Sequence, residues 1–325
     1  MEKLELQMVK GDYEINTNGM YVVLTGPKII IFKNDGTFIA CIKKWGKIRK
    51  SVFIDSDCIL LDCSAKSTYV LISLEDGCEK LLIPQPKNDY TCSHFTLSPN
   101  KHYVYDRYDL RGRYFYLQID LTTGSLRNYP IKNLLRCVTD LVCDLQGNPC
   151  ILQYHFEEDK DIQNARISKN AIIESCVVKE NKTPTCKPLF FWEFPHPRTS
   201  KFFLGDTDTI LTQDLYVYTP STGHLCDLIE NRSIWNQTGQ KPIDYRIDHK
   251  RQYLILLCDT VNVIIDMNAR RLVARYAAEY RFGCIVCNEF WVCSDQGILR
   301  KPFPLVEDMP PLKSHLWSPW NGFLS

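Results

Sequence analysis

No run of eighteen or more apolar residues occurs in the 325-residue sequence, so no helix in it suits a bilayer crossing. Neither charge is in surplus. The 39 basic side chains face 38 acidic ones, a balance that does not suit a protein built to coat nucleic acid. The sequence holds no GxSxG elbow, HExxH, GxxxxGK loop or GxGxxG, so the commoner hydrolase, zinc-protease and nucleotide signatures are missing. No long stretch carries a 3.6-residue apolar period, which leaves little room for amphipathic helix. Met1 to Lys10 alternates charge and hydrophobe and lacks the apolar core of a signal peptide; the expectation is a cytoplasmic protein in a reducing setting. A chain this long buries roughly three quarters of its unfolded surface, enough for a core without disulfide or metal.

Cysteine is plentiful, at 15 residues, but a disulfide framework is not expected in a reducing compartment. Most cysteines sit in apolar runs: Cys58 before Ile59-Leu60-Leu61, Cys258 after Leu256-Leu257, Cys176 before Val177-Val178. There a thiol behaves as a small buried hydrophobe. Cys284 and Cys287 have CxxC spacing, yet a zinc site wants a second ligand pair and a redox pair usually opens a helix. Phe282 to Cys293 reads instead as two strands, so packing is the reading, and no metal or cofactor is expected. The sequons at Asn181, Asn231 and Asn236 carry no weight without an export route.

A repeat is present. A β-type strand, a turn centred on Gly or Asn and a second strand recur along the chain: Ile29 to Phe32, Asn34-Asp35-Gly36, Phe38 to Cys41 is the first copy. Others turn at Glu75-Asp76-Gly77, Thr122-Thr123-Gly124, Lys169-Asn170, Ser221-Thr222-Gly223 and Asn268-Ala269-Arg270. β-branched and aromatic residues fit a pleated, half-buried surface, and Gly or Asn tolerates the positive φ of a tight hairpin. The turn positions 36, 77, 124, 170, 223 and 270 lie 41, 47, 46, 53 and 47 residues apart. Each interval holds four short strands, the mark of a propeller blade. The seventh unit, from Phe282 to Phe303, supplies three strands, and a spare strand, Leu4 to Val9, lies at the other end of the chain. The expectation is an all-β, seven-bladed β-propeller of four-stranded antiparallel blades over residues 1–305, closed by the N-terminal strand pairing in the last blade. Closure removes exposed sheet edges. A Pro- and Trp-containing tail, 306–325, is expected to pack on the ring.

Leu97-Ser98-Pro99-Asn100-Lys101-His102-Tyr103-Val104 resembles the "SPDGKYL" turn between the first two strands of WD40-like and YVTN-type propellers. Ile119-Asp120-Leu121-Thr122-Thr123-Gly124 resembles the "DL-x-TG" hairpin of the same groups. The likeness covers about residues 3 to 305 and implies architecture, not activity; the Trp-Asp dipeptide and Gly-His pair of true WD40 repeats do not occur. Asn34 to Phe38 also resembles part of the Asp-box turn of sialidase-type propellers, but reads as a hairpin turn using Asn, Asp and Gly for backbone geometry.

The seven histidines are scattered. Asp206-x-Asp208 lacks the Gly and terminal Glu of a calcium loop and reads as a strand-connecting turn. Loops between blades, and those joining a blade's middle strands, share one rim. There Trp45 to Lys50 and Arg107 to Arg113 form a basic sector with Trp45, Tyr108 and Tyr114, opposite the acidic Glu157 to Asp161. These charges are either solvated loops or a polarised rim that orients a charged partner. A long connection is expected at 179–199, carrying four aromatics and several prolines, a composition that suits an interface, a cap over the channel or padding on blade four. The leading functional expectation is a non-catalytic interaction platform for a protein or peptide partner, monomeric, binding neither nucleic acid nor membrane. Contacts would centre on Phe190, Phe191, Trp192, His196 and Arg198, with Arg49, Arg107, Arg111 and Arg113 steering. The alternative is an enzyme or small-ligand binder using the central channel, with His94, Asp140 and Asp244 as candidate lining residues and Trp317 and Trp320 as candidate plugs.

Overall fold

The computed structural model describes residues 13–86, 95–98, 100–110, 113–130, 138–143, 149–156, 171–177, 185–192, 202–206, 209–212, 216–219, 224–227, 242–250, 252–258, 261–277, 283–294 and 297–303. These residues form seven antiparallel sheets, each built from strands consecutive in the chain. The first holds β1 (Glu14–Thr17), β2 (Tyr21–Thr25), β3 (Ile29–Lys33) and β4 (Phe38–Ile42); the second holds β5 (Lys50–Phe53), β6 (Cys58–Cys63), β7 (Thr68–Ser73) and β8 (Glu79–Pro84). The third holds β9 (Thr96–Leu97), β10 (Tyr103–Leu110), β11 (Arg113–Asp120) and β12 (Leu126–Pro130); the fourth holds β13 (Val138–Cys143), β14 (Pro149–Phe156), β15 (Ala171–Val177) and β16 (Thr185–Trp192). The fifth holds β17 (Phe202–Asp206), β18 (Thr209–Thr212), β19 (Tyr216–Thr219) and β20 (His224–Asp227); the sixth holds β21 (Pro242–Ile247), β22 (Tyr253–Cys258), β23 (Val261–Asp266) and β24 (Arg271–Ala277). Three described strands make the seventh: β25 (Cys284–Val286), β26 (Glu289–Ser294) and β27 (Gly297–Pro302).

The middle strands are apolar at almost every position, not at every second one, because each sheet is buried on both faces. Every residue of β2 and β6 is buried. Their period of two sorts side chains between two neighbours. Val22, Leu24, Ile30 and Phe32 of the first sheet pack on Cys284, Val286, Trp291 and Ile298 of the seventh. The alternate residues Tyr21, Val23, Ile29 and Ile31 pack on Ile59, Leu61, Val70 and Ile72 of the second. The other face of the second sheet meets Val104, Leu117 and Ile119 of the third. In the same manner Ile255, Ile264 and Tyr276 of the sixth sheet meet Ile285, Phe290 and Val292 of the seventh. The outer strands β4 and β8 carry the exposed positions, as a sheet's outer edge must.

The hairpins between third and fourth strands explain the spacing of the repeat. Gly36, Gly77 and Gly124 sit at φ 96°, 73° and 70°, and Arg270 takes the same left-handed region at φ 49°. In each, a carboxylate or its equivalent fixes the turn: Asp76 accepts from the Cys78 N–H at 2.9 Å, Asp120 from Thr122 at 2.8 Å, and Asp266 from Asn268 at 2.9 Å. Glycine at one of these turns is needed for space as well as for φ: a Cβ on Gly77 would lie 2.7 Å from the Ala40 Cβ of the first sheet, whereas one on Gly36 would meet only the movable end of Arg300 of the seventh. The second hairpin thus nests on the first sheet, and the first hairpin lies against Arg300 of the seventh. Turn positions 170 and 223, and the strand Leu4 to Val9 expected to complete the seventh sheet, lie outside the described residues.

One expectation is corrected. Residues 179–199 are not simply a connection: Thr185–Trp192 is β16, the outermost strand of the fourth sheet, paired antiparallel with β15. The repeat centred on Lys169-Asn170 makes β15 the last strand of its sheet, but a further outer strand follows; such a strand tolerates Pro where no ladder hydrogen bond is lost, and Pro188 pairs with Glu174 at an irregularity in the register. The hairpin of this sheet therefore joins residue 177 to residue 185, not residues 167 and 172.

Candidate functional site

First strands of five sheets converge on a cavity of about 570 Å³. Asn16 and Thr17 come from β1, Ser51 to Phe53 from β5, Leu97 from β9, Arg246 and Ile247 from β21, and Cys284 and Ile285 from β25. The turns that follow these strands supply its mouth: Asn18 and Met20, Asp55 and Ser56, Lys101, Asp248 and His249. Met20 is among the few large hydrophobes left exposed, at 54%.

The polar groups around this cavity hold the turns. The Asn18 amide donates to the carbonyls of Asp55 at 3.2 Å and Ser56 at 2.9 Å, tying the first sheet to the second. The Asp248 carboxylate accepts backbone N–H groups from Lys250 at 3.0 Å, Gln252 at 2.7 Å and Tyr253 at 2.5 Å. Ser98 fills that role in the third sheet, its hydroxyl accepting from the Tyr103 N–H at 2.9 Å. Arg246 crosses to the first sheet, donating to the Ile15 carbonyl and to the Glu14 carboxylate. His249 lies against Gly19, where a Cβ would sit 2.5 Å from Nε2, so the left-handed glycine makes room for the ring. Its Nδ1 is buried without a hydrogen-bond partner among the described residues, and desolvation pulls its pKa below the usual histidine value. The imidazole is accordingly neutral at pH 7.

A second polar cluster lies between the second and third sheets. Lys50 is 4% exposed, and Asp62 and Asp106 are fully buried. Lys50 pairs with Asp106, whose other oxygen accepts from the Tyr69 hydroxyl at 2.8 Å. Asp62 accepts from Arg49 at 2.6 Å and from the Gln85 amide at 2.7 Å. Burial raises the Asp106 pKa, with Lys50 and Tyr69 opposing. A third cluster is smaller: Lys80 reaches the Cys58 Sγ at 3.0 Å and Asp57 at 3.4 Å, and Asp55, Asp57 and Cys58 stand close together.

Among solved structures the chain is similar to the β-propeller domain of Cps50 (Swd1) from Myceliophteria thermophila, with TM-score 0.57, 12% identity and coverage of 90% of this chain and 96% of that one. A chain of the mitotic checkpoint complex superposes with TM-score 0.54 at 8% identity, covering 91% and 95%. The fold is a β-propeller. No protein-family model matches the sequence, and no curated protein matches it. At such identities the likeness concerns the fold alone.

Against the propeller frame the expected site residues fall in different places. Arg49 is at the expected rim, but its guanidinium is held by buried Asp62. Trp45, read as a rim aromatic, is 9% exposed and packs in the core between the first two blades with Lys44 over its ring. Arg107 and Arg113 are on β10 and β11, three and zero residues from the hairpin that joins those strands. Phe190, Phe191 and Trp192 are consecutive on β16, so two of the three share one face of the strand. Asp140 and Asp244 fall on the innermost strands β13 and β21, each beside an irregularity in pairing. Asp206 ends β17 and pairs with Thr209, the strand-connecting turn expected. Cys284 is buried in β25 while Cys287 is exposed in the following turn at φ 46°; burial pushes the Cys284 thiol far up, as suits a packing residue. His94, Arg111, His196, Arg198, Asp208, Glu157 to Asp161, Trp317 and Trp320 lie outside the described residues. Sequence reasoning missed the mouth residues Met20, Lys101 and His249 as a group. Their common position, in the turn after each first strand, was the available signal.

Proposed function

We propose that the chain is a binding platform for a protein or peptide partner, seating an apolar anchor of that partner in the mouth of the axial cavity. The observation that carries this reading is the cavity itself: about 570 Å³ with a mixed polar and apolar lining and an exposed methionine at its edge. That volume falls in the range of roughly 300–1,000 Å³ typical of ligand sites. The polar groups nearby support binding better than turnover, because Asp248, Asn18 and Arg246 are engaged in holding turns and strands. The solved neighbours in fold include a chain of the mitotic checkpoint complex, which supports the reading by analogy of fold alone.

A second reading rests on β16. An outermost strand offers a ladder edge for an added strand, and here it carries Phe190, Phe191 and Trp192, with His196 and Arg198 following and Arg107, Arg111 and Arg113 steering. One retention experiment separates the two. Partners held by the full chain are compared with those held by Met20→Glu, Trp192→Ala and Arg111→Glu. Loss on Met20→Glu alone supports the cavity mouth, and loss on the other two supports β16. Unchanged retention by all three overturns both.

A further inference from the structure

We propose that the mouth of the axial cavity is a seat for this chain's own C-terminal segment, 304–325, which lodges a tryptophan, Trp317 or Trp320, against the apolar residues of its lining. The segment and a partner's anchor would compete for the one mouth, so the proposal concerns the chain with no partner bound. The last described residue is already beside the rim. The Phe303 N–H donates to the Asn288 carbonyl at 2.8 Å, and its ring meets the Tyr253 ring edge-on with centroids 5.0 Å apart. Tyr253 in turn donates its N–H to Asp248, a residue of the mouth, at 2.5 Å.

Reach is ample. Phe303 follows the third strand of its sheet, about 10 Å from the innermost strand at two interstrand spacings. Twenty-two residues remain after it, an extended length of roughly 70 Å. Composition also fits. Formal charge in the segment is confined to Glu307, Asp308 and Lys313, while Leu312, Leu316, Trp317, Trp320 and Phe323 need cover from water. The cavity offers it through exposed Met20 and half-buried Val52, Phe53, Leu97 and Ile247. Ser51 and Asn16 at the same cavity supply acceptors for an indole N–H, which a buried tryptophan requires. Pro310-Pro311 and Pro319 limit the chain entropy lost on seating.

Photo-crosslinking in the full-length chain tests this directly. Trp317→p-benzoylphenylalanine and Trp320→p-benzoylphenylalanine variants, which keep an aromatic side chain, are irradiated and the products mapped by mass spectrometry. The expected product from at least one of them is an intramolecular crosslink at Met20, Ile54 or Leu97, and adding Met20→Ala moves it onto the aliphatic residues. Crosslinks from both variants that fall only on the outer strands, only between two copies of the chain, or nowhere on the cavity residues overturn the proposal.

Discussion

The two faces of the second blade are held by different physics. Toward the first blade, Ile59, Leu61, Val70 and Ile72 meet Val23, Ile29 and Ile31 in a contact without a charge in it. Toward the third, Leu60, Tyr69 and Ile83 meet Val104 and Leu117, but Lys50, Asp106, Asp62 and Gln85 are buried along the same seam, with half-buried Arg49 at its edge. A dry contact gains roughly in proportion to the apolar area it covers. A buried ion pair repays desolvation only when all its members are present, so its net contribution is small while the cost of breaking it is large. The polar seam therefore serves register: Lys50 finds Asp106 at one blade-to-blade setting.

This contrast yields the largest expected effect. Asp106→Ala leaves Lys50 buried beside Tyr69 without its carboxylate and is expected to cost about 3–5 kcal/mol. Replacing both members, Lys50→Met with Asp106→Leu, is expected to cost less than the single change, because Asp62 keeps Arg49 and Gln85 and only the Tyr69 hydroxyl loses this acceptor. Urea unfolding of the single and double variants gives the answer. A single variant no worse than the double would show that the seam is not a coupled network. On the dry face Leu61→Ala is expected to cost about 2–5 kcal/mol through lost transfer energy and the cavity left behind, and no compensating second substitution should restore it.

A smaller effect separates backbone strain from crowding. Gly46 and Gly77 have nearly the same φ, 70° and 73°, but a Cβ on Gly46 meets only the Ala65 Cβ at 3.5 Å whereas one on Gly77 meets Ala40 at 2.7 Å. Gly46→Ala should show the left-handed cost alone, about 1–2 kcal/mol. Gly77→Ala should exceed it, because the second hairpin must lift from β4. Equal losses in thermal unfolding would mean that the nesting of hairpin on blade contributes nothing.

Much of this architecture was legible in the sequence because local chemistry and fold agree. The turns at 36, 77, 124 and 270 need left-handed residues, and runs such as Cys58 to Leu61 are apolar on both faces since both faces are covered. β16 is illegible as a strand because the repeat centred on Lys169-Asn170 makes β15 the last strand of its sheet and leaves the aromatic run as a connection, although an outermost strand tolerates its prolines. The polar seam was illegible for a different reason. Lys50 and Asp106 are 56 residues apart, each inside a hydrophilic stretch that resembles a solvated rim, and only the stacking of blades joins them. Asp62, set between Leu61 and Cys63 in an otherwise apolar strand, was the one visible sign. The cavity was harder still, since each turn gives it one or two residues and no segment concentrates them.

The smallest predicted effect concerns acid. The dry face buries no carboxylate among its core residues, so acid dependence is sought in the turns and in the seam, and these have opposite signs. Backbone N–H groups of Thr122 and Thr123 hold the Asp120 carboxylate below its ordinary value near 3.8. Its contribution is therefore complete above pH 3.8 and is lost as pH falls through the lower folded value. Asp106 is raised by burial, so the folded state takes up its proton first; its contribution grows as pH falls through the raised value and is complete below 3.8. In calorimetry across this range, Asp120→Asn should flatten the acid loss below about pH 4, and Asp106→Asn should remove a gain that lies above it. If both variants shift the same limb in the same direction, the seam carboxylate is not desolvated and the contrast between the two faces of the second blade disappears.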